Sequence, residues 1–460
     1  MIAELGVVDR KMIAQKMHYL ITVVSCLSTT CLFTMLACLE SCTDEPSPIS
    51  SSHNQRSVFL DTAFVDPSEV WLRLSSTDLS GASSFEVYRD TTLILSRHIV
   101  QPDTTLIDTM LLPAKIYQYR AYRSVNNRRV ESTRALLVQT MDTTSHEFTW
   151  DFDTLGDGNG SYLKDVFILN DTSVFAVGAL YVRDSAGQYN SDPYNVARWD
   201  GRSWKLSTAT YVPFNAVFGF ADTDVWAGTS APYHWDGRSW KAFNVTGIFN
   251  GYVNKIWGTS SSNMYMVGTN GAIMHFNGSV WQKMESGTDV DLLDIWGTPD
   301  GNVVWACGWI DFKPTVLLRL INGVWEKAFE DPYPFVLRED SLSGILTSVW
   351  APNGHRLFIL SDLGLFTATS NIQGQAKRIP FPSTWSGFPW ILRGNAVNDL
   401  VVVGEYYTLA HFNGLTLKQY EQFKGYGRLV SVCVRNNLVV AVGYSFDPIN
   451  SQGIVVRGRR

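Results

Sequence analysis

Three histidines of this 460-residue chain have the chemistry of metal ligands. His234 in "YHWDG", His275 in "MHFNG" and His411 in "AHFNG" occupy the same position of a repeated motif, and neutral imidazole is a common ligand of transition metals. Equivalent positions of a repeat array lie in different units, so we expect these side chains to point outward separately rather than to converge on one ion. The spacing therefore favours a structural role and predicts no metal site.

Oxygen-bearing side chains also alternate in "GDGNGS" (156–161). Asp157, Asn159 and Ser161 have the spacing of a calcium-binding loop, with Asp153 nearby, but the glutamate that closes an EF-hand loop is missing. The glycines have no strand–helix–strand unit around them, as a dinucleotide-binding loop would require. We interpret the segment as a solvated turn and predict no cofactor.

The chain lacks the short motifs that position a nucleophile or a hydrolytic zinc ion. It contains neither GxSxG nor HExxH. Asp and Glu pairs suited to glycoside hydrolysis occur in several segments, but their separation in space does not follow from the sequence. We therefore assign no catalytic residue, and the question of enzymatic activity stays open with a binding role favoured.

The histidine motif belongs to a repeat with a period of about forty residues, which is typical of propellers and solenoids. Each unit has an apolar strand, a turn, a second strand that commonly ends in Gly, a third strand, a tight turn and a fourth strand. Asp-Gly or Asn-Gly pairs at 200, 236, 277, 322 and 413 suit the positive φ angles of hairpin turns. The second strands are "VFAVG" (174–178), "VWAG" (225–228), "MYMVG" (264–268), "VWACG" (304–308), "LFILS" (357–361), "LVVVG" (400–404) and "VVAVG" (439–443).

Seven such units predict a β-propeller at 145–460. A four-stranded sheet is too small to bury both of its faces alone, so neighbouring sheets must stack into a ring. The last unit ends at "GIVVRGRR" (453–460) without a fourth strand, whereas "HEFTWDFDTL" (146–155) precedes the first unit and has strand character. We predict that 146–155 pairs with the last sheet and removes its free edge.

The irregular loops of the predicted propeller carry aromatic residues and are expected to share one face. Such side chains suit the contact points of sugar or protein ligands, where a few residues usually dominate affinity. The alternative is that the rings only pack the loops down. The hypothesis places a recognition surface around Trp309, Trp385 and Tyr406. Its full set of candidate ligand-binding residues is Tyr181, Trp309, Phe312, Tyr333, Trp385, Tyr406, Tyr407 and Tyr444.

Residues 56–144 alternate apolar and polar side chains over short runs, which predicts an antiparallel sandwich. Predicted strands include "EVWLRLS" (69–75), "SFEVYRD" (84–90), "KIYQYRAYRS" (115–124) and "ESTRALLVQT" (131–140). The segment "LLPAKIYQYRAY" (111–122) resembles the fibronectin type III pattern through Leu111, Pro113 and Tyr117. The resemblance implies that Trp71 is the core tryptophan of the second strand.

The N-terminus has a basic start followed by an uncharged apolar run at 19–39, which is typical of a signal peptide. "LESCTDEPSP" (39–48) resembles a lipobox with Cys42 as the acylated residue, and the acidic residues after it resemble the export signal of Bacteroidetes surface lipoproteins. Cys38 in "MLAC" is a competing lipidation site, and an uncleaved membrane anchor is the other alternative. The resemblance implies an exported outer-membrane lipoprotein at the cell surface, held by its lipids and a tether at 43–55.

The net charge of −6 and the lack of a basic run argue against nucleic-acid binding. Two function classes remain. The favoured one is a non-catalytic recognition or scaffold lipoprotein, similar to Bacteroidetes surface lipoproteins, that binds a glycan or protein ligand on the irregular-loop face. The alternative is an extracytoplasmic carbohydrate-active hydrolase or lyase whose site is built from propeller loops, since one fold hosts many functions.

Overall fold

The computed structural model of the chain describes residues 57–79, 83–98, 101–338, 341–370, 372, 375–447 and 450–460. The predicted signal segment, Cys38, Cys42 and the tether at 43–55 lie outside these residues. The described part is built from β-strands, with two short 3₁₀ helices at Thr269–Gly271 and Glu421–Phe423. None of its helices has the length and apolar character needed to cross a membrane.

The first eight described strands form two antiparallel sheets. They are β1 (Val58–Val65), β2 (Val70–Ser76), β3 (Ser83–Arg89), β4 (Thr92–His98), β5 (Asp103–Asp108), β6 (Ile116–Val125), β7 (Arg128–Ser132) and β8 (Leu136–Gln139). One sheet has the order β1-β2-β5, and the other has the order β4-β3-β6-β7 with β8 also paired to β6. Alternating side chains of both sheets, such as Leu72, Phe85 and Tyr119, form one apolar core.

Two details of this sandwich differ from the sequence-based expectation. The predicted strand at 131–140 is divided into β7 and β8, because Thr133 leaves the ladder and pairs its backbone and hydroxyl with Ala121. The prediction that Trp71 belongs to the sandwich core is wrong. Its neighbours Val70 and Leu72 point into that core, so the pleat turns Trp71 outward, where its ring centroid lies 6.0 Å from that of His355.

The remaining strands form four-stranded antiparallel sheets, named sheets 1 to 7 in chain order. Sheet 1 contains β10 (Tyr162–Asn170), β11 (Ser173–Leu180), β12 (Tyr194–Trp199) and β13 (Trp204–Ser207). Sheet 2 contains β14 (Ala216–Ala221), β15 (Asp224–Gly228), β16 (Pro232–Trp235) and β17 (Trp240–Ala242). Sheet 3 contains β18 (Val253–Ser260), β19 (Asn263–Gly268), β20 (Ile273–Phe276) and β21 (Trp281–Met284). Sheet 4 contains β22 (Leu292–Gly297), β23 (Val304–Gly308), β24 (Thr315–Ile321) and β25 (Val324–Asp331). Sheet 5 contains β26 (Leu346–Trp350), β27 (Arg356–Ser361), β28 (Gly364–Thr369) and β29 (Lys377–Ile379). Sheet 6 contains β30 (Pro389–Ala396), β31 (Asp399–Gly404), β32 (Leu409–Phe412) and β33 (Leu417–Gln419).

Sheet 7 combines strands from the two ends of this region. It contains β34 (Gly427–Arg435), β35 (Leu438–Ser445), β36 (Gly453–Arg459) and, as its outer strand, β9 (Thr149–Leu155). β9 runs antiparallel to β36, with Thr149 opposite Arg459 and Leu155 opposite Gly453. The C-terminal strand therefore has a partner on both sides, and sheet 7 has no free edge at β36.

The seven sheets pack one against the next around a central axis. The first strand of each sheet contacts the first strand of its neighbour, and β34 of sheet 7 contacts β10 of sheet 1. Apolar clusters lie between adjacent sheets, and Leu163 and Val166 of sheet 1 share one with Val440 and Val442 of sheet 7. This arrangement confirms the prediction of an all-β chain with a β-propeller.

The glycine that ends most second strands has a packing reason. A Cβ atom added to Gly308 would overlap the carbonyl of Asp291, and one added to Gly443 would overlap the carbonyl of Arg428. In each case the obstructing carbonyl lies at the start of the first strand of the same sheet. The repeated Gly therefore allows the backbones of the first two strands to approach closely.

The antiparallel strand order gives the propeller two different faces. The turns between first and second strands and between third and fourth strands lie on one side, which we call the turn face. The connections between second and third strands and those leading to the next sheet lie on the other side, which we call the loop face. The longest connections, such as 181–193 and 332–345, are on the loop face.

The sandwich packs on the turn face at sheets 5 and 6. Pro67 of the sandwich lies against Gly414, in the last turn of sheet 6, so closely that a Cβ on this glycine would be 2.6 Å from Pro67 Cγ. Asn398, in the first turn of sheet 6, donates a hydrogen bond of 2.8 Å to the carbonyl of Asp142. The sandwich therefore contacts the face opposite the irregular loops.

Candidate functional site

The aromatic residues proposed as ligand contacts lie in or beside loop-face connections, but they do not form one patch. Phe312 and Tyr333 flank sheet 4 and are strongly exposed, and Phe312 adopts a positive φ of 65°. Trp309 belongs to the same sheet, whereas Trp385 and Tyr406 belong to connections of sheet 6. The expected centre around Trp309, Trp385 and Tyr406 is therefore divided by sheet 5.

Among these residues Tyr407 is buried in the fold, whereas Trp385 and Tyr181 are only partly buried. Tyr407 is only 8% exposed and belongs to an apolar core cluster, and burial raises the pKa of its hydroxyl to about 12. Tyr407 is thus corrected from a contact residue to a supporting one. Trp385 stacks on Phe381 with ring centroids 4.6 Å apart and donates its Nε1 hydrogen to Gly387. The backbone N–H of Tyr181 donates to the Ser161 hydroxyl.

Tyr444 is different, because it belongs to a group of aromatic rings around Arg428. The Arg428 guanidinium carbon lies 5.5 Å from the Tyr444 ring centroid, 5.2 Å from that of Trp390 and 4.9 Å from that of Phe446. These distances permit cation–π attraction, which is strongest where water is excluded. We call Arg428, Trp390, Tyr444 and Phe446 the Arg428 cluster.

A second cation borders the same cluster. The Lys164 ammonium lies 5.9 Å from the Tyr444 ring centroid and 5.5 Å from that of Tyr162. Lys164 keeps contact with solvent, yet the protein around it desolvates the ammonium, and this effect, followed by the charge of Arg428, lowers the pKa of Lys164. Two positive side chains therefore lie near the same tyrosine ring.

The charge at this place is only partly compensated. Arg428 lies 3.3 Å from Glu405 Oε1. Among the residues that the structure describes, Lys164 has no carboxylate within ion-pair distance. Trp390 Nε1 and Arg428 Nε are buried and lack hydrogen-bond partners in the described structure. Two cations against the one carboxylate of Glu405 leave an excess of positive charge here, which attracts an anionic ligand.

The ring architecture brings the Arg428 cluster together. Trp390, Arg428 and Lys164 stand near the beginnings of β30, β34 and β10, which are the first strands of sheets 6, 7 and 1. First strands begin at the loop face and line the central axis, so their initial residues converge there. Phe446 follows β35, and its ring centroid lies 6.4 Å from that of Tyr406. Tyr406 and Tyr444 are thus the two proposed contacts that the structure joins to this cluster.

Sequence reasoning missed Lys164, Trp390, Arg428 and Phe446. It looked for aromatic residues in irregular loops, whereas three of these four residues belong to strands that read as ordinary repeat units. Phe446 lies in the irregular segment "YSFDPINSQ" (444–452), from which the sequence hypothesis includes only Tyr444. A usable signal was the Lys or Arg near the beginning of a first strand, in "SYLKDVF" (161–167) and "GYGRLVS" (425–431).

The three repeated histidines each bond within their own sheet. His234 Nε2 lies 2.8 Å from Asp224, and His275 Nε2 lies 2.8 Å from Asn263. His411 Nε2 lies 2.9 Å from Asp399. In every case the partner is the acidic or amide residue at the start of the second strand. The repeat position therefore carries a histidine that ties the third strand to the second.

The segment 156–161 forms a turn stabilised by its own side chains. The Asp157 carboxylate accepts a hydrogen bond of 2.8 Å from the backbone of Arg183. The Ser161 hydroxyl donates to the carbonyl of Gly158 at 2.6 Å. Throughout the described ranges, no group of three or more His, Cys, Asp or Glu residues is arranged to hold a metal ion.

Comparisons with known proteins identify the fold. No protein-family model matches the chain, and no curated protein matches its sequence. A structure of YCF48 bound to D1 peptide is 15% identical, covers 69% of this chain and 99% of the neighbour, and has a TM-score of 0.52. The chain therefore has the fold of a β-propeller protein.

Two further solved structures are similar at lower scores. YCF48 from Cyanidioschyzon merolae is 11% identical, covering 67% of this chain and 98% of its own, with a TM-score of 0.49. A structural genomics protein of unknown function from Bacteroides thetaiotaomicron is 11% identical, covering 88% of this chain and 98% of its own, with a TM-score of 0.39.

Proposed function

We propose that the protein is a non-catalytic recognition protein that binds a peptide segment of a protein ligand on the loop face of its propeller. The observation that carries this proposal is the Arg428 cluster with Lys164 beside it. Aromatic rings grouped around an arginine are features of protein-binding hot spots. The proposed centre of the surface is therefore Arg428 and Tyr444, with Tyr406 at its edge.

The chemistry of the cluster favours an acidic peptide. Lys164 and Arg428 supply two positive charges against one carboxylate, Glu405. A ligand carboxylate would form charge-assisted hydrogen bonds with the guanidinium. Aromatic or aliphatic side chains of the same peptide would pack on Tyr444 and Phe446.

Two further observations support this location. The sandwich contacts the turn face, so it leaves the loop face open for a ligand. The YCF48 neighbour is described as bound to D1 peptide, and we take this as a precedent for peptide binding by a propeller of this kind. Trp309, Phe312, Tyr333, Trp385 and Tyr181 remain proposed as the outer margin of the surface, with secondary contributions.

The test is a binding screen of the full chain in detergent against an array of random twelve-residue peptides and, in parallel, a glycan array. We expect acidic peptides containing aromatic residues to be retained. The selected peptides should lose at least about tenfold in affinity for Arg428→Gln and Tyr444→Ala, because hot-spot truncations cost about 2 kcal/mol or more. Arg459→Gln, at an exposed residue that ends β36, is the matched control and should bind as the parent does.

The outcomes separate the alternatives. If the protein binds glycans but no peptide, the peptide proposal is contradicted and a glycan becomes the proposed ligand. Peptide binding that survives both substitutions in the Arg428 cluster would move the site elsewhere on the loop face. In that case, alanine substitutions at Trp309, Trp385 and Tyr406 would locate it.

We also propose a domain organisation and a cellular address. Residues 1–42 are a lipoprotein signal peptide, 43–55 a tether, 56–144 a fibronectin type III-like domain and 145–460 a seven-bladed β-propeller. The strand orders of the two sandwich sheets support the fibronectin type III-like domain. The hydrogen bond of 2.9 Å from the backbone N–H of Leu112 to the Tyr117 hydroxyl supports it as well. A tyrosine corner of this kind is typical of immunoglobulin-like sandwiches.

The proposed address is an outer membrane, with Cys42 acylated and the protein exposed at the cell surface. It is supported by the lipobox-like residues around Cys42 alone. Mass spectrometry of the N-terminal peptide from membrane-extracted protein should find a diacylglyceryl group on Cys42. A lipid on Cys38, or a chain that still carries residues 19–39, would contradict the assignment.

A further inference from the structure

A cavity of about 400 Å³ lies on the propeller axis. It is lined by residues of the first strands of sheets 1, 2, 3, 4, 6 and 7, and it extends to Thr259, Pro299 and Arg435, which stand at or beside the turn face. The Arg428 cluster stands at the opposite ends of the same strands. The cavity is therefore separate from the site proposed for peptide binding.

Two buried ion pairs close the inner end of the cavity. The Lys255 ammonium lies 2.5 Å from Asp165 and 3.3 Å from the Ser431 hydroxyl. Arg393 donates from Nη2 to Asp294 at 2.6 Å and from Nη1 to the same carboxylate at 2.9 Å. Each pair joins two sheets that are not adjacent, so together they span the axis.

The wall of the cavity is aromatic and positively charged. Trp257 and Trp296 line it together with Phe167 and Phe218. The lining also includes Lys255, Arg393 and Arg435 but no Asp or Glu among the described residues. A cavity of this size, with mostly apolar walls and a few polar groups, has the features of a small-molecule site.

The positions of the three cations decide how a ligand would lie. Lys255 and Arg393 are already neutralised by Asp165 and Asp294 behind the wall. Arg435 is exposed at the mouth, where its Nη1 donates to the Ile168 carbonyl at 3.2 Å. An anionic group bound at the mouth would keep part of its hydration, whereas one buried at the inner end would pay the full desolvation cost.

We propose that this axial cavity binds a small aromatic carboxylate, with the ring between Trp257 and Trp296 and the carboxylate beside Arg435. The neutralised cations at the inner end favour an electron-rich ring face through cation–π attraction. The apolar walls desolvate the ring, and the guanidinium at the mouth selects a negative charge over a neutral group. The site requires no covalent step and is independent of peptide binding on the loop face.

Cys433 reports on the occupancy of the cavity. Its thiol is free, partly buried and part of the lining, whereas Cys307 is free and fully buried between sheets 4 and 5. A small methanethiosulfonate reagent at pH 8.5 should therefore modify Cys433 and leave Cys307 unmodified. Peptide mass spectrometry distinguishes the two sites in the full chain, including its N-terminal cysteines.

The experiment uses 1-naphthoate and its neutral analogue 1-naphthamide as probes. We expect calorimetry to show naphthoate binding to the full chain and the bound naphthoate to slow modification of Cys433. Naphthamide should bind roughly threefold more weakly than naphthoate, because it cannot form the partly exposed ion pair with Arg435. Arg435→Gln should lower naphthoate affinity by a similar factor and remove the preference for the carboxylate. Arg459→Gln is the matched control and should preserve both.

Four results would overturn the proposal. One is the absence of naphthoate binding, and another is binding that leaves the modification rate of Cys433 unchanged. The third is equal affinity of the parent for naphthoate and naphthamide, a comparison that needs no variant. If Cys433 resists modification in the ligand-free protein, the cavity is closed to small molecules and the proposal also fails.

Discussion

The Arg356 guanidinium in β27 lies 2.6 Å from the Glu69 carboxylate of the sandwich. The same Nη2 lies 2.6 Å from Asp66, and all three side chains are about nine-tenths buried. The Trp71 ring covers the guanidinium at 5.2 Å. The pleat of β2 points this tryptophan away from its own core. Its apolar surface therefore covers these buried charges at the contact between the sandwich and the propeller.

Removal of Arg356 should destabilise that contact strongly. Burial raises the pKa of Asp66 against the charge of Arg356. Burial by itself would also raise the pKa of Glu69, but the charge and hydrogen bond of Arg356 outweigh it and lower that pKa. Arg356→Met should therefore cost about 3 kcal/mol in the free energy of unfolding, because it leaves two buried carboxylates without their cation.

Urea unfolding of the full chain measures this cost, and Arg73→Met is the control. Arg73 pairs with Asp103 at 2.7 Å, with side chains 60% and 50% exposed, so its loss should change stability by less than about 0.5 kcal/mol. Equal effects of the two substitutions would show that the buried cluster adds little to the contact.

Alanine at the repeated glycine should overpack the propeller. Gly443→Ala places a methyl group against the carbonyl of Arg428, so the first two strands of sheet 7 must separate. We expect a loss of about 2 kcal/mol in the free energy of unfolding, as for other overpacked cores. Gly354→Ala is the matched control, because nothing lies within 4 Å of its added Cβ. A Gly443→Ala variant as stable as the control would contradict the packing explanation.

Deletion of 146–155 should abolish cooperative unfolding. β9 supplies the outer strand of sheet 7, and Arg457 of β36 binds Asp153 at 3.0 Å while lying 3.9 Å from the Trp199 ring centroid of sheet 1. Without β9, the edge of β36 is exposed and this link is lost. Differential scanning calorimetry should show a broad or absent transition, whereas deletion of 46–55 should leave the transition intact. A sharp transition at the parental temperature would refute closure by β9.

Acid should destabilise the protein partly through His146. Its Nδ1 lies 2.8 Å from His411 Nδ1, and burial, followed by the charges of His411 and Lys418, lowers the pKa of His146 to about 4 from 6.5. The unfolded chain therefore binds more protons below pH 6.5, and the stability present above that pH is lost as the pH falls towards 4.

His146→Gln should remove this part of the pH dependence. Urea midpoints measured between pH 6.5 and 4 should fall less steeply for His146→Gln than for the parent. His98→Gln, in β4 of the sandwich, is the control and should retain the parental slope. If His146→Gln is as sensitive to acid as the parent, other groups govern the loss.

The repeating part of the fold could be predicted from the sequence because its causes are local. Second strands that end in Gly, as at Gly308 and Gly443, and tight turns such as Asn277-Gly278 recur in most units and can be recognised one unit at a time. Sheets 1 to 6 each pair strands that are neighbours along the chain, and only sheet 7 takes its outer strand from the other end of the region. The role of His234 and its equivalents was predictable for the same reason, since each bonds within its own sheet.

Only the tertiary structure decided which side chains meet across units. Lys164 and Arg428 are far apart in sequence and approach the same Tyr444 ring because the closed ring places sheet 7 beside sheet 1. The alternation of β2 turns Trp71 outward, but only the tertiary structure shows that His355 and Arg356 of the propeller lie against its ring. Local periodicity determines which residues form strands and turns, but convergence on the axis depends on how many sheets close the ring and where the sandwich packs against it.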